Sequence, residues 1–262
     1  MCALEIKADE KRVSLIPREV KKIVDKGFTV YVQKDAGELA GYPDADYVAS
    51  GATICETAEE IFLHANVIVK VKEPLPSEYP LITEKHTVFS FFHFASCQEL
   101  LDAMVKSKTT CIAYETIQAD GRYPILAPMS VIAGQQAMIQ AVKHVDFNEQ
   151  DEITIIGAGN VGQAAAYKAK ELGYNCVNLV DRAYDKIAYL QGFNSYKMTN
   201  DNLYHLMKKS KIVVGSVYNT GEKAAKLISD ELLDVMQDGS IIMDVAIDQG
   251  GMTEHSRPTT IS

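Results

Sequence analysis

Residues 153–162 have the sequence ITIIGAGNVG, in which a short apolar run leads into the glycine spacing G-x-G-x-x-G. A second apolar run, residues 176–180, ends at Asp181, nineteen residues after the last of these glycines. This order predicts a buried strand, a glycine turn, a helix from Asn160 to Leu172 and a second parallel strand. Together these elements have the form of a βαβ unit that binds a dinucleotide.

Each of the three glycines in the motif is expected for a different physical reason. Gly157 permits a tight turn after the strand, Gly159 has no Cβ to keep a pyrophosphate away from the backbone, and Gly162 lets the helix lie close to the sheet. Asn160 and Val161 open the helix, whose first backbone N–H groups have no partner within the helix and point toward a bound phosphate. Because glycine turns also occur for purely structural reasons, the motif predicts a cofactor site only together with both strands and the acid.

The acid at the end of the second strand bears on which cofactor is bound. Asp181 can accept hydrogen bonds from a ribose hydroxyl, and its charge repels a 2′-phosphate, so NAD is favoured over NADP. Arg182 and Lys186 follow closely and complete the predicted cofactor-binding set around this strand. Arg182 keeps NADP open as the alternative, because an arginine beside the ribose accommodates a phosphate.

Composition narrows the class of protein. The 262 residues are 47% hydrophobic and 23% charged, which suits two folded cores, and the formal net charge of -9 argues against nucleic acid or an anionic membrane as partner. The sequence contains no bilayer-length apolar run and no signal-peptide pattern at its start, so a cytoplasmic location is expected. Five cysteines without a C-x-x-C pair predict neither a disulfide framework nor a metal site.

Strand and helix patterns alternate along the whole chain, which predicts an α/β protein with parallel sheets. A turn over residues 119–124 interrupts the alternation. We therefore predict two Rossmann-like domains with a cleft between them, a substrate domain over residues 1–126 and an NAD-binding domain over residues 127–262. The predicted strands are residues 28–32, 67–71, 87–91, 111–114, 153–156, 176–180, 212–215 and 240–244, and the predicted helices are residues 18–26, 57–64, 97–106, 129–144, 160–172, 184–190, 202–209 and 230–236.

Four polar residues are candidates for the chemistry, because open α/β sheets bind ligands at the carboxyl ends of their strands. Lys72, His93 and Asp248 each follow a predicted strand, and Arg12 has the two-pronged donor geometry that suits a carboxylate. Each also has a purely structural interpretation: Lys72 as a solvated strand end, His93 as a core residue, Arg12 as a surface charge and Asp248 as a turn former.

Beyond these single residues, five segments resemble alanine dehydrogenases in order and spacing: KVKEP at 70–74, FFHFA at 91–95, AYET at 113–116, APMS at 127–130 and DVAIDQGG at 244–251. Proton-translocating nicotinamide nucleotide transhydrogenases share much of this pattern but generally differ in the last segment, so the alanine dehydrogenases are the better match. The resemblance runs through essentially the whole chain. It also implies that such enzymes continue beyond the position of Ser262, so that the chain lacks their C-terminal part.

The resemblance implies roles for the candidate residues. Arg12 and Lys72 would bind the substrate carboxylate and polarise its carbonyl, with His93 as general acid/base and Asp248 as second catalytic group. Met129 would lie on the substrate side and Ser130 on the cofactor side of the point where the two ligands meet. The remaining positions, implied to pass beneath the nicotinamide ribose, are Ser216, Val217, Ala246 and Ile247.

The activity implied by the resemblance is NAD-dependent oxidative deamination of L-alanine to pyruvate and ammonium, a reaction of amino-acid catabolism, in a homo-oligomer. Three alternatives remain open at this point. The chain could be an oxidoreductase that condenses an amino acid with a ketoacid, a hydride-exchanging transhydrogenase component, or a shortened NAD-binding protein without turnover.

Overall fold

Two α/β units make up the chain, Met1–Ile117 and Gln118–Ser262. The computed structural model describes residues 2–3, 10–146, 148, 150–217 and 223–257, with the backbone alone described at residues 2, 3 and 248. Each unit contains a parallel sheet, so the predicted class of two Rossmann-like domains is confirmed. The functional division at residues 126/127 stays a prediction.

The sheet of the first unit has six strands in the order β3-β2-β1-β4-β5-β6. All the neighbouring strands are parallel, and the chain reverses its direction of winding between β1 and β4, which makes that gap the topological switch point. The strands are β1 (Cys2–Ala3), β2 (Tyr31–Gln33), β3 (Thr53–Cys55), β4 (Val67–Lys72), β5 (Thr87–Phe91) and β6 (Thr110–Ala113).

Helices α1 (Pro17–Val24), α2 (Asp44–Ala49), α3 (Ala58–His64) and α4 (Gln98–Ser107) connect these strands. The helix starts follow the sequence: Pro17 occupies the first turn of α1, where no backbone donor is needed, and the Thr57 side chain accepts from the backbone N–H of Glu60 at the start of α3. Two apolar clusters form the core of the unit, one around Ile61, Ile68, Val88, Phe92 and Leu100 and the other around Val20, Val32 and Tyr47.

The sheet of the second unit repeats the same winding with five strands in the order β11-β10-β7-β8-β9. Its switch point lies between β7 and β10, and all pairs are parallel. The strands are β7 (Glu152–Ile156), β8 (Cys176–Asp181), β9 (Asn194–Lys197), β10 (Ser210–Gly215) and β11 (Ile241–Asp244). The helices are α5 (Leu126–Ala141), α6 (Asn160–Glu171), α7 (Tyr184–Ile187), α8 (Asn200–Met207) and α9 (Asp230–Asp234).

Helices cover both faces of this second sheet. Along β10, Ile212 and Val214 belong to the apolar cluster that includes α5 and α6, whereas Val213 belongs to the cluster that includes α8 and α9. Since successive side chains of a strand point to opposite faces, the two clusters lie on opposite sides of the sheet. A strand buried on both faces has the continuous apolar sequence seen in IVVG at 212–215.

The structure also contains elements that the sequence patterns did not predict, namely β1, α2, β3 and β9. Two of these strands, β3 and β9, lie at sheet edges. They are only three and four residues long, which is too short to give a clear alternating apolar pattern. The long apolar helix begins three residues earlier than predicted, at Leu126, and ends at Ala141. In the described part of the chain, no helix is both long and apolar enough to cross a membrane.

Close packing of α5 on α6 gives the first testable prediction. A Cβ added at Gly134 would lie 2.1 Å from the carbonyl oxygen of Val161, which is backbone and cannot rotate away. We expect Gly134→Ala to lower the free energy of unfolding by about 1–3 kcal/mol, the usual cost of an overpacked core. Chemical denaturation measures this, with Gln136→Ala, an exposed position on the same helix, as the control. Equal stability of the two variants would contradict the described packing.

Candidate active site

The predicted cofactor residues of the second unit follow four neighbouring strands, β11, β10, β7 and β8. Asp181 ends β8, Gly157 follows β7, Ser216 follows β10 and Ala246 lies two residues beyond the end of β11. Because the strands are parallel, all four positions lie at the same edge of the sheet, on both sides of its switch point. The structure therefore brings residues of four separate sequence segments to one edge of the sheet.

Gly157 makes the turn that leaves the central strand. Its φ of +93° is in the left-handed region, where residues with a Cβ are strained. The buried hydroxyl of Ser216 lies 2.7 Å from the carbonyl oxygen of Gly157 and 3.0 Å from that of Ile156, and donates to this turn. A Cβ at Gly157 would lie 2.9 Å from the side chain of Val217. Ser216 thus holds the shape of the glycine turn through its hydrogen bonds, a role that the sequence did not indicate, and Val217 lies beside the turn.

The other two glycines of the motif differ in what constrains them. A Cβ at Gly162 would lie 1.8 Å from the carbonyl oxygen of Gly157, so the fold itself requires glycine there. At Gly159 no atom of the residues that the structure describes lies within 4 Å of an added Cβ, and the φ of -73° suits any residue. Gly159 and Asn160 are exposed and Val161 is half-buried at the start of α6. The fold therefore leaves open space above the backbone at this helix N-terminus.

Asp181 lies against the glycine turn, as its spacing in the sequence suggests. One carboxylate oxygen accepts from the backbone N–H of Ala158 at 2.7 Å, and the other accepts from that of Ala183 at 2.8 Å. The side chain is half-buried, whereas Arg182 and Lys186 are exposed. The carboxylate thus joins the end of β8 to the loop between β7 and α6.

The loop after β11 is held by a second carboxylate. Asp244 accepts from the backbone N–H of Ala246 at 3.0 Å and from that of Met252 at 2.6 Å. Lys226 donates to the carbonyl oxygens of Gly250 at 2.6 Å and Thr253 at 2.7 Å, and these two hydrogen bonds also stabilise the loop.

Within this loop, Ala246 is buried and Ile247 is half-buried. Asp248 occupies the middle of a 3-10 turn, Ile247–Gln249, and its side chain lies outside the described residues. For Asp248 the structure therefore describes the backbone position after β11 and not the side chain.

In the first unit, Arg12 and Lys72 meet around one buried acid, Glu10. The Nε of Arg12 donates to one oxygen of Glu10 at 2.7 Å, and Nη2 donates to the other at 2.7 Å. Glu10 is buried, and Arg12 is half-exposed. The hydroxyl of Ser14 donates to the carbonyl oxygen of Val69 at 3.0 Å, which fixes this segment against β4.

Burial by itself would raise the pKa of Glu10. The hydrogen bonds from Arg12 and the positive charges of Arg12 and Lys72 outweigh that effect and hold the pKa below its usual value of 4.5. Lys72, at the carboxyl end of β4, is thus electrostatically coupled to the same carboxylate as Arg12. Sequence reasoning missed Glu10, which stands among other charges in DEKR at residues 9–12.

His93 follows β5, the strand next to β4, and its side chain is half-buried. Its ring is stacked on that of Phe91, with centroids 6.2 Å apart and planes at 13°. The backbone N–H of His93 donates to the buried carboxylate of Glu115 at 2.8 Å. Met129 and Ser130 are half-buried near the start of α5 in the second unit.

These residues fit a bound dinucleotide. The open space above Gly159 at the start of the twelve-residue helix α6 suits a pyrophosphate, whose charge the unpaired N–H groups would stabilise. The carboxylate of Asp181 suits a ribose, and Ser216, Val217, Ala246 and Ile247 line the same sheet edge. Packing against the described residues does not require glycine at position 159, since an added Cβ there contacts none of them.

Comparison with known proteins agrees with this geometry. The family model described as alanine dehydrogenase/PNT, N-terminal domain, matches residues 1–133, and the model of the C-terminal domain matches residues 127–262. An alanine dehydrogenase of Methanococcus maripaludis is 39% identical over 97% of this chain and 75% of the relative. Among solved structures, an L-alanine dehydrogenase has a TM-score of 0.85 at 31% identity, covering 99% of this chain and 77% of the other.

A transhydrogenase from Sinorhizobium meliloti also resembles the chain, with a TM-score of 0.82 at 27% identity over 98% of this chain and 81% of the other. Both folds thus share the arrangement described here. The two family models together span the whole sequence, and the alanine dehydrogenase from Methanococcus is the more similar of these two by identity. The chain belongs to the alanine dehydrogenase/PNT family.

Proposed function

We propose that the chain is an NAD-dependent L-alanine dehydrogenase that deaminates L-alanine oxidatively to pyruvate and ammonium and catalyses the reverse reductive amination. The observation that carries the proposal is the pairing of Arg12 and Lys72 around Glu10, with His93 on the neighbouring strand. The 39% identity to an alanine dehydrogenase supports the substrate assignment over the alternatives.

Arg12 and Lys72 bind the substrate in this proposal. The ionised Glu10 and the two cations leave one net positive charge among the three groups, which suits the single carboxylate of an amino acid or a ketoacid. Glu10 also holds the Arg12 guanidinium in one orientation through two hydrogen bonds. Lys72 supplies positive charge where the carbonyl oxygen of pyruvate becomes more negative during the reaction.

NAD, when bound to the second unit, supplies the oxidant that removes a hydride from Cα of the amino acid. His93 takes the proton from the water that adds to the resulting substrate imine, and returns a proton to the departing amine. Asp248 is the second group proposed to transfer protons in these steps. Met129 contacts the substrate in this scheme, and Ser130 contacts the cofactor.

The proposal extends to three further properties. Asp181 discriminates against NADP through repulsion of a 2′-phosphate, with Arg182 and Lys186 beside it at the surface. The protein is expected to form a homo-oligomer. It is expected to act in the cytoplasm on small molecules alone, since its formal charge of -9 disfavours nucleic acid and anionic membrane surfaces.

The proposed activity predicts that the protein oxidises NADH only when pyruvate and ammonium are both present. Absorbance at the reduced nicotinamide band measures the rate, and chromatography identifies alanine as the product. Activity with ornithine in place of ammonium would instead indicate an enzyme that condenses amino acids with ketoacids. Hydride exchange between two nicotinamide nucleotides without pyruvate would indicate a transhydrogenase component. NADH binding without oxidation would indicate a protein that has lost turnover.

A substitution at Gly159 tests cofactor binding without disturbing the fold. Because an added Cβ contacts none of the described residues but enters the space proposed for the pyrophosphate, Gly159→Ala should leave the unfolding temperature unchanged. We expect it to weaken NADH binding by about tenfold or more, roughly the effect of losing one close backbone–phosphate approach. Fluorescence titration with NADH measures the affinity. The control is Lys208→Ala, an exposed change just before the opposite, amino end of β10. Unchanged affinity in Gly159→Ala would place the cofactor elsewhere.

A further inference from the structure

His93 has a backbone conformation that is uncommon for residues other than glycine. Its φ and ψ are 51° and 41°, in the left-handed region, directly after β5. Residues other than glycine stay in this region only where surrounding contacts hold them there, and such residues cluster at functional sites. The contacts that hold His93 therefore bear on how its imidazole is presented.

Glu115 provides the main contact. It follows β6, and the pairing of Ser90 with Ala113 between β5 and β6 brings the two strand ends side by side. One carboxylate oxygen of Glu115 accepts from the backbone N–H of His93 at 2.8 Å, and the other accepts from that of Phe92 at 3.3 Å. The side chain is 4% exposed, so water does not compete for these two donors.

The backbone carbonyl group and the ring of His93 also have contacts that fix them. Its carbonyl oxygen accepts from the backbone N–H of Ser96 at 2.9 Å and from the Ser96 hydroxyl at 2.8 Å. The imidazole lies nearly parallel to the ring of Phe91. Glu115 fixes the residue on its N–H side, where the chain leaves the strand and turns into the left-handed conformation.

A carboxylate suits this position chemically because both of its oxygens accept hydrogen bonds. Two backbone N–H groups point at Glu115, and an amide in its place would direct its own NH₂ group at one of them. The buried acid is therefore matched to the two donors and not merely tolerated.

We propose that Glu115 is a positioning residue, which acts through His93 by holding its strained backbone so that the imidazole faces the substrate; this role rests on the proposed function. Glu115 itself transfers no proton in this proposal. Its effect on turnover should therefore depend on the presence of the His93 imidazole.

A double-mutant cycle tests this dependence. We expect His93→Ala to lower kcat about a hundredfold or more, the usual scale for loss of a general acid/base. Glu115→Gln should lower kcat by roughly tenfold to a hundredfold, the effect of a misplaced catalytic group, with little change in NADH affinity. Adding Glu115→Gln to His93→Ala should cost less than about a further twofold, because the residue through which Glu115 acts is already gone.

Thr109→Val is the matched control. The Thr109 hydroxyl donates to the carbonyl oxygen of His86 at 2.8 Å, next to the opposite, amino ends of β5 and β6. The variant thus loses one hydrogen bond between the same two strands without approaching His93. It should keep its kcat even where its unfolding temperature falls as far as that of Glu115→Gln.

A second readout does not depend on turnover. Selective ¹⁵N labelling of the six histidines gives their backbone amide signals, and the His93 signal is identified by its loss in His93→Ala. In Glu115→Gln, the His93 amide proton should shift upfield while the other five signals stay in place, because its charged acceptor has been removed. Should Glu115→Gln fail to fold, Glu115→Asp takes its place in both measurements; the same upfield shift is then expected because the shorter side chain holds its carboxylate farther from the His93 N–H.

Two results would overturn the positioning role alone: an unchanged kcat in the Glu115 variant, or a loss in the double variant equal to the product of the two single losses. Both results are comparisons with the kcat of the unaltered enzyme, so they test the positioning role only when that enzyme is active. Absence of pyruvate- and ammonium-dependent NADH oxidation in the unaltered protein would overturn the proposed function, and with it the catalytic part of this inference. The failures are therefore distinguishable.

Discussion

Parallel strand pairing is the constraint on which the rest of the structure depends. In both sheets, every neighbouring pair of strands is parallel, so all the carboxyl ends lie at one edge. The winding reverses at β1/β4 in the first unit and at β7/β10 in the second, where the connecting loops separate and leave room for a ligand. Residues far apart in sequence, such as Lys72 and His93 or Gly157 and Ser216, become neighbours for this reason.

Within that frame, buried or half-buried acids repeatedly hold the loops that leave the strands. Each has at least one carboxylate oxygen that accepts from a backbone N–H in a strand-end loop, which gives an otherwise irregular segment a fixed shape. The acids are Glu10, Glu78, Glu115, Asp181 and Asp244. Glu78 also forms a buried ion pair with Lys70, with both oxygens 2.8 Å from Nζ. The loops with the candidate residues are thus preorganised before any ligand arrives, which lowers the entropy cost of binding.

Much of this fold could be predicted from the sequence. The strand over residues 87–91 and the start of α6 at Asn160 have the predicted bounds, because long apolar runs and a glycine motif are strong local signals. The strands β3 and β9 were missed, since runs of three and four residues are too short to carry a periodic apolar signal. Local patterns also did not predict the six-strand order of the first sheet, which depends on contacts between distant segments.

For the candidate site, too, some residues could be identified from the sequence and others could not. Strand ends and spacing were sufficient to select Lys72, His93 and Asp181 from sequence. Glu10 and Glu115 were missed as functional candidates, because their importance comes from burial and from the backbone groups that they meet in three dimensions. An acid among other charges, or one after a short strand, gives no local sign of that environment. One general rule could have pointed to them: the backbone N–H groups of a strained loop at a strand end need a hydrogen-bond acceptor, and a nearby acid can provide it.

The proposed function depends on hydride transfer between a nicotinamide and the Cα of alanine. The most direct measurement uses NADH carrying deuterium at both hydrogens of nicotinamide C4, incubated with pyruvate, ammonium and the protein, followed by mass spectrometry of the amino acid formed. Direct transfer should give L-alanine one mass unit heavier than the unlabelled compound, with the deuterium on Cα. Formation of unlabelled alanine, or of no alanine while the labelled cofactor remains bound, would contradict it.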